Sequence, residues 1–253
     1  LSRAGIGGGD AVASIPSFSA FSTMIEVPPM SDREIAKFME LQGKQYIPLP
    51  LTQVAFEWQR VGERKDENGA MKHQIFLVSV PNEQLEKYQK MFSTAGLKLV
   101  AVEIEGASLA RSLTTGVMEP ALIVDIGSRS TSFSVATNGF LKFTSQTDFS
   151  GGSLTQTIAQ GLSIGQRRAE DLKRERGLLG FGGSQELSTL IQPILDVIIG
   201  EARRAIGNYE TSYGEKIKRV ILSGGGAEMA GLAEYWGKQT GLPVGMANPF
   251  GRV

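Results

Sequence analysis

The sequence predicts a mixed α/β protein, and three observations carry that prediction. Apolar runs of strand length, Ala121–Asp125 and Lys218–Leu222, each end at a glycine-bearing turn. Two alternating runs, Thr131–Thr137 and Leu141–Gln146, flank Asn138-Gly139, the strongest short-range hairpin signal. Between such runs lie segments with apolar residues at helical spacing, Glu83–Ala95 and Leu190–Tyr213.

Composition narrows the function classes. The 253 residues carry 26 basic and 26 acidic side chains, so no net basic excess draws nucleic acid or anionic lipid, and only a local basic stripe remains open. Hydrophobic residues at 41% and charged residues at 21% suit a chain that buries a core. The length fits one large domain or two ordinary ones. With no cysteine, disulfides, thiol nucleophiles and thiolate zinc sites are excluded; the sole histidine, His73, excludes multi-histidine metal sites. No apolar run approaches the roughly 20 residues of a membrane span, and no signal peptide is recognisable. The chain opens at Leu1 rather than Met, as a fragment would.

In chain order, the glycine-rich stretch 1–10 reads as a frayed start, and Ala11–Ile15 as a strand closing at Pro16. Phe21–Val27 is a second strand. Ser31 followed by Glu34 forms a capping box for a helix running to about Gln42, with Ile35, Phe38, Met39 and Leu41 or Gln42 inward. Pro48 and Pro50 exclude helix from Tyr46–Leu51. Val54–Val61 and Gln74–Val80 are strands joined by a long charged turn, Glu63–Lys72; Phe56 and Trp58 share one face and read as core, and His73 as surface. The helix Glu83–Ala95 places Leu85, Tyr88, Met91 and Phe92 on one side and is capped by Gly96. Leu99–Ile104 is a strand and Ala107–Leu113 a short helix. After Pro120 come the strand Ala121–Asp125, the Asn138-Gly139 hairpin, and a helix from about Ser153. A charged helix follows at Gln166–Arg176, then a glycine-rich loop at Leu178–Ser184. Leu190–Tyr213 is a long helix with Ile194, Ile198, Ala202, Ile206 and Tyr209 on one stripe and Pro193 near its first turn. Met229–Thr240 is a helix, and Leu242–Gly245 a last strand.

Five groups of residues carry candidate chemistry. Asp125, Gly127 and Ser128 stand at the end of a buried strand, where a tight turn aims backbone N–H groups at phosphate oxygens and an aspartate holds hydrated Mg²⁺. The same triplet also serves as an ordinary turn in which Asp caps its own backbone. Gly224, Gly225 and Gly226 sit between a strand and a helix, where close backbone approach and the helix N-terminus favour an anion; a simple tight turn is the other reading. Gly151 and Gly152 precede a helix start and either meet an anion or merely turn the chain. Glu170 and Lys173 share a helix face, as a solvated ion pair or as a grip on ribose hydroxyls. Glu105 follows a strand, as a helix-start charge or as a residue that positions water for attack on phosphate.

The order of these groups, with the stretches AVASIPSFSAF, GKQYIPLPLTQV, VPNEQLEKYQKMFSTAGLKLVAVEIE, LIVDIGSRSTSFSV, AEDLKRERG and ILSGGGAEMAGLAEYWGKQTGLPVGMANPF, resembles the PilM family of type IV pilus assembly proteins, itself similar to the cell-division protein FtsA. The likeness spans nearly the whole chain. It implies an actin-like (ribonuclease H-like) ATPase fold with an inserted SHS2-like 1C subdomain. Residues 1–30 would be a remnant of subdomain 1A, 31–104 subdomain 1C, 105–120 the return to 1A and a connecting helix, 121–164 and 193–253 the two parts of 2A, and 165–192 subdomain 2B.

The resemblance also implies roles. Asp125, Gly127 and Ser128 match a second phosphate loop, Glu170 and Lys173 a ribose-contacting pair, and Gly224–Gly226 the turn beside adenosine. Glu105 lies where related folds place a hydrolytic glutamate. ATP or ADP with Mg²⁺ is the implied cofactor, with at most slow ATPase activity. The implied partners are the cytoplasmic N-terminal tail of PilN, with Tyr46, Ile47 and Pro48 in its groove, and other pilus assembly and motor proteins, at the cytoplasmic face of the inner membrane. Actin-like folds carry a first phosphate loop that this sequence lacks, so the resemblance implies that an N-terminal stretch of 1A is missing and that nucleotide binding is weakened. The competing expectations are an FtsA- or MreB-like filament-forming ATPase and a nucleotide-free type II secretion adapter.

Overall fold

The computed structural model describes residues 3, 5, 7–178 and 185–251. It divides into two compact units, Leu1–Ser108 and Leu109–Val253. The expected glycine-rich loop at Leu178–Ser184 lies outside the described residues after Leu178, as does part of the stretch 1–10.

In the first unit, strand β1 (Gly9–Ile15) pairs in parallel with β5 (Leu97–Ile104). Between them in sequence, β2 (Phe21–Val27), β3 (Val54–Lys65) and β4 (Met71–Pro81) make an antiparallel sheet of order β2-β4-β3. Helix α1 (Asp32–Gln42) starts at the expected capping box, with the Ser31 hydroxyl and the Glu34 carboxylate exchanging hydrogen bonds with each other's backbone N–H. Its Ile35 and Met39 pack with Ile25, Val27, Ile75 and Leu77, which alternate along β2 and β4, and with Ile47 and Val54. Leu41, 61% exposed, and Gln42 fall outside this core, because the buried stripe passes from Met39 to Gly43. Phe56 and Trp58 flank it as expected.

The charged turn is shorter than expected. β3 runs on to Lys65 and the loop is only Asp66–Ala70, because the Asp66 carboxylate accepts from the N–H groups of Asn68 and Ala70 and closes the turn itself. His73 is also not a surface residue. It is 8% exposed inside β4, with Nε2 3.3 Å from Glu63 on the neighbouring strand and Nδ1 accepting from the Met30 N–H. Helix α2 (Asn82–Thr94) half-buries Leu85, Tyr88 and Phe92 and leaves Met91 exposed. Gly96 follows with φ +74°, the left-handed turn that ends a helix.

Helix α3 (Glu105–Thr114) leads into the second unit. There β6 (Ala121–Ile126), β7 (Thr131–Thr137), β8 (Phe140–Thr147), β9 (Arg219–Ser223) and β10 (Val244–Met246) form one sheet of order β10-β9-β6-β7-β8. β6, β9 and β10 run parallel, while β7 and β8 are antiparallel. The hairpin is as read: Thr137 pairs with Phe140, and Asn138 and Gly139 both take positive φ, as a type I′ turn requires. β7 alternates in sequence yet is buried at all seven positions, because it lies between β6 and β8 and both faces of the sheet are covered.

Helices α4 (Gly151–Gly161), α5 (Gln166–Arg176), α6 (Gln185–Tyr213) and α7 (Leu232–Thr240) complete the unit. The core joins Leu122, Val124 and Ile126 of β6 to Leu154 and Ile158 of α4 and to Ile191, Leu195, Ile198, Ala202 and Tyr209 of α6. Helix α6 starts earlier than the periodicity suggests, so Pro193 lies in its third turn rather than its first, on the exposed side. Helix α7 starts later, at Leu232, because Gly231 takes φ +79° and holds Met229–Gly231 as a turn.

Candidate functional site

The C-terminal ends of β6 and β9 bring two glycine turns together. Asp125 pairs in register with Ser223 on one side and Ser132 on the other. The chain then turns through Gly127–Ser130, closed by a hydrogen bond from the Gly127 N–H to the Ser130 carbonyl at 3.0 Å. From the other strand, the Gly226 N–H donates to the Ile126 carbonyl at 2.9 Å. Gly224 has φ +82°, and a Cβ there would stand 2.4 Å from Asp125 Oδ1. Only glycine lets this turn pass so close to the aspartate. Helix α7 begins well past the turn, so its N-terminal dipole does not face Gly224–Gly226 as the sequence suggests.

Asp125 is half-buried, and burial pushes its carboxyl above the usual range. Among the described residues no hydrogen bond or ion pair reaches this carboxylate. A desolvated, unpaired carboxylate beside an open backbone turn is a group suited to a cation or a hydrated ligand. Among the described residues no cluster of three or more His, Cys, Asp or Glu cages a metal. A lone carboxylate of this kind is chemically compatible with a hydrated divalent cation approached through water.

The Gly151-Gly152 pair lies in the first turn of α4 rather than before it. Ser150 is the N-cap, its hydroxyl accepting from the Ser153 N–H. The Gly151 and Gly152 N–H groups donate to the carbonyls of Gly127 and Ser128, at 2.9 and 3.1 Å. Their own N–H groups are thus spent on this loop. A Cβ at Gly152 would lie 2.4 Å from the Ser128 carbonyl oxygen, so the close approach itself demands glycine.

On α5, the two members of the expected pair behave differently. Lys173 is 5% exposed, with Nζ 2.7 Å from Glu170. Glu170 remains partly exposed and also accepts from Arg174 Nε at 2.8 Å. Burial works to raise its pKa, but the hydrogen bonds from Lys173, Thr155 and Arg174 outweigh that and lower it to about 2. A carboxylate accessible to solvent and firmly ionised can accept from sugar hydroxyls, whereas the Lys173 ammonium is buried against Glu170, the Gly151 carbonyl and Thr155. Thr155 escaped the sequence reading. Its only signal is its place one helical turn after Gly151, where its hydroxyl meets the Gly151 carbonyl.

The remaining candidates lie in the first unit. Glu105 is half-buried at the start of α3. Tyr46 is half-buried against Phe38, with ring centroids 6.4 Å apart. Ile47 belongs to the core, and Pro48 is exposed. Ile47, expected to meet a partner, is instead 6% exposed in that core, while nearby Leu49 is exposed. Among the described residues no helix is long and apolar enough to cross a membrane.

The geometry agrees with comparisons to known proteins. The chain resembles the solved "PilM-PilN type IV pilus biogenesis complex" with a TM-score of 0.75 at 21% identity, covering 95% of this chain and 70% of that one. It matches MreB5 of Spiroplasma citri bound to AMPPNP with a TM-score of 0.54 at 19% identity, covering 66% of this chain and 59% of that one. It matches the ethanolamine utilization protein EutJ from Carboxydothermus hydrogenoformans with a TM-score of 0.51 at 23% identity, covering 62% and 54%. These neighbours establish the actin-like ATPase fold. The profile of the family described as type IV pilus assembly protein PilM matches residues 4–253, and the chain belongs to that family.

Proposed function

We propose that this protein is an adapter of type IV pilus assembly whose second unit binds an adenine nucleotide. The observation that carries the nucleotide is the unpaired, desolvated Asp125 carboxylate against the Gly224 turn. In this reading the loop Gly127–Ser130 turns backbone N–H groups toward phosphate, and Asp125 orients water around Mg²⁺. Glu170 accepts from ribose, and Gly224–Gly226 border the base. The actin-like fold and the AMPPNP bound to the MreB5 neighbour support it. Magnesium supplies charge neutralisation of the phosphates.

The partner proposed is a PilN-like cytoplasmic peptide, taken by the first unit at Tyr46–Leu49. The support is the PilM-PilN complex that the chain resembles, together with apolar side chains left exposed at this stretch. The finer division into subdomains 1A, 1C, 2A and 2B belongs to the same proposal, as does a place at the cytoplasmic face of the inner membrane.

Calorimetric titration of Mg-ADP tests the nucleotide; saturable binding that Asp125→Asn weakens is expected, and no binding by the intact chain overturns it. Titration of a PilN-tail peptide against the wild type and Leu49→Ser tests the partner, and equal affinity for both removes this stretch from the site. Nucleotide-dependent sedimentation would move the chain to the filament-forming class.

A further inference from the structure

The hydrogen bonds of Lys173 leave it no donor for a ligand. Its Nζ lies 2.7 Å from Glu170 Oε2, 2.9 Å from the Gly151 carbonyl oxygen and 2.8 Å from Thr155 Oγ1. An ammonium carries three hydrogens, and these three acceptors take them all. Thr155 Oγ1, which accepts from Lys173, stands 2.9 Å from the Gly151 oxygen and 2.5 Å from Glu170 Oε2, and gives its one hydrogen to either. The ammonium is also buried, Lys173 being 5% exposed.

What Lys173 touches matters more than what it could reach. The Gly151 carbonyl and the Gly152 N–H belong to one peptide group. A cation on that carbonyl polarises the peptide and makes its N–H a stronger donor. That N–H is the one donated to the Ser128 carbonyl at 3.1 Å, while the Gly151 N–H holds the Gly127 carbonyl at 2.9 Å. An unbroken path of hydrogen bonds therefore runs from the Glu170 carboxylate through Lys173 and Thr155 to the loop beside Asp125.

We propose that Lys173 and Thr155 are positioning residues that hold the Gly127–Ser128 loop in its phosphate-receiving shape through the Gly151–Gly152 peptide, leaving Glu170 alone to meet the ribose. This rests on the nucleotide reading of the same site. It predicts a division of labour in which Lys173 affects the phosphate end of a ligand it does not touch.

The test uses the 253-residue chain with Thr155→Val, which keeps shape and removes the hydroxyl, Thr155→Ser, which restores it, and Lys173→Met. Adenosine, 2′-deoxyadenosine and ADP are titrated into each, and amide exchange at Gly151 and Gly152 is followed by NMR without ligand. Lys173→Met is expected to weaken ADP about tenfold, the equivalent of one charge-assisted hydrogen bond. Adenosine should be weakened less than ADP, and its preference over 2′-deoxyadenosine should persist, because Glu170 keeps its hydrogen bond from Arg174 when Lys173 is lost. Thr155→Val should follow in the same direction and Thr155→Ser should return to wild type, with faster Gly152 exchange in the first and not the second. An equal loss for adenosine and ADP, with the preference over 2′-deoxyadenosine abolished, would put Lys173 on the ribose and overturn the proposal. So would unchanged Gly152 exchange in both Lys173→Met and Thr155→Val. A wild type that binds none of the three ligands retires the nucleotide reading, and the exchange arm still decides whether the path to the loop exists.

Discussion

A Cβ added at Gly69 or Gly96 in the first unit meets nothing within 4 Å, whereas one added at Gly152, Gly224 or Gly226 in the second lands 2.4 Å from another atom. Both sets punctuate turns in the sequence, and nothing local separates them. In the first unit the residue answers to its own φ, as at Gly69 with +80° in the Asp66–Ala70 loop. At Gly152, Gly224 and Gly226 it answers to a neighbouring strand or loop that passes through the space a side chain would fill. The shape around Asp125 is thus a property of packing between segments far apart in sequence, and it should be correspondingly intolerant of change.

The most severe test of that contrast is Gly224→Ala. The alanine must adopt φ +82° and overlap Asp125 Oδ1 and the Ile126 carbonyl. Left-handed strain and overpacking together should cost about 3 kcal/mol in urea unfolding of the second unit. A loss below about 1 kcal/mol would show that the turn yields easily and would dissolve the distinction. Gly139→Val comes next, at about 2 kcal/mol, because a β-branched residue is strained at φ +82° and its Cβ crowds Thr115 Oγ1 at 2.6 Å. Should circular dichroism and urea midpoint stay at wild-type values, the hairpin turn is not the rigid element described.

Asp125→Asn should act with the opposite sign. Burial raises the Asp125 pKa, so the folded state is destabilised increasingly as the pH rises above the ordinary carboxylate range, and fully once it exceeds the raised value. The neutral amide removes the penalty, and a gain in stability at pH 7 is expected, fading as the pH falls into the ordinary carboxylate range. Destabilisation at neutral pH would mean that the carboxylate has a stabilising partner. The smallest effect belongs to Gly69→Asn in the first unit. Asparagine tolerates positive φ and the space is open, so the unfolding free energy should change by less than about 0.5 kcal/mol.

Much of the second unit was legible because its signals are local. Asn138-Gly139 between alternating runs specifies its own turn, and the bounds of Thr131–Thr137 follow from it. The Ser31–Glu34 capping box specified α1 in the same way. The misreadings share one cause, which is that burial is decided elsewhere in the chain. His73 reads as a loop-edge residue until β2 and β3 close around β4. Lys173 reads as half of a solvated pair until α4 brings Gly151 and Thr155 to it. The start of α7 was obscured by Met229, an apolar residue at helical spacing that belongs to a turn. Of the candidate site, the Asp125 and Gly224–Gly226 turns are readable as separate motifs, while their contact and the bonds from Gly151 and Gly152 to the loop are set by the fold.

The parallel pairing of β1 with β5 has a kinetic consequence. Those strands enclose residues 16–96, while β3 and β4 are joined by the five residues Asp66–Ala70. A loop about sixteenfold longer costs roughly 2.4 kcal/mol more to close, at about 0.6 kcal/mol per doubling. The β3–β4 hairpin can therefore form early from its own neighbours in sequence, whereas β1–β5 must wait until the intervening chain has compacted. The pair assembled last has the least to hold it once the middle sheet loosens. In native-state hydrogen exchange, the amides of Val12–Ile15 should accordingly open before those of Ile75–Leu77, marking β1–β5 as the seam along which the first unit comes apart.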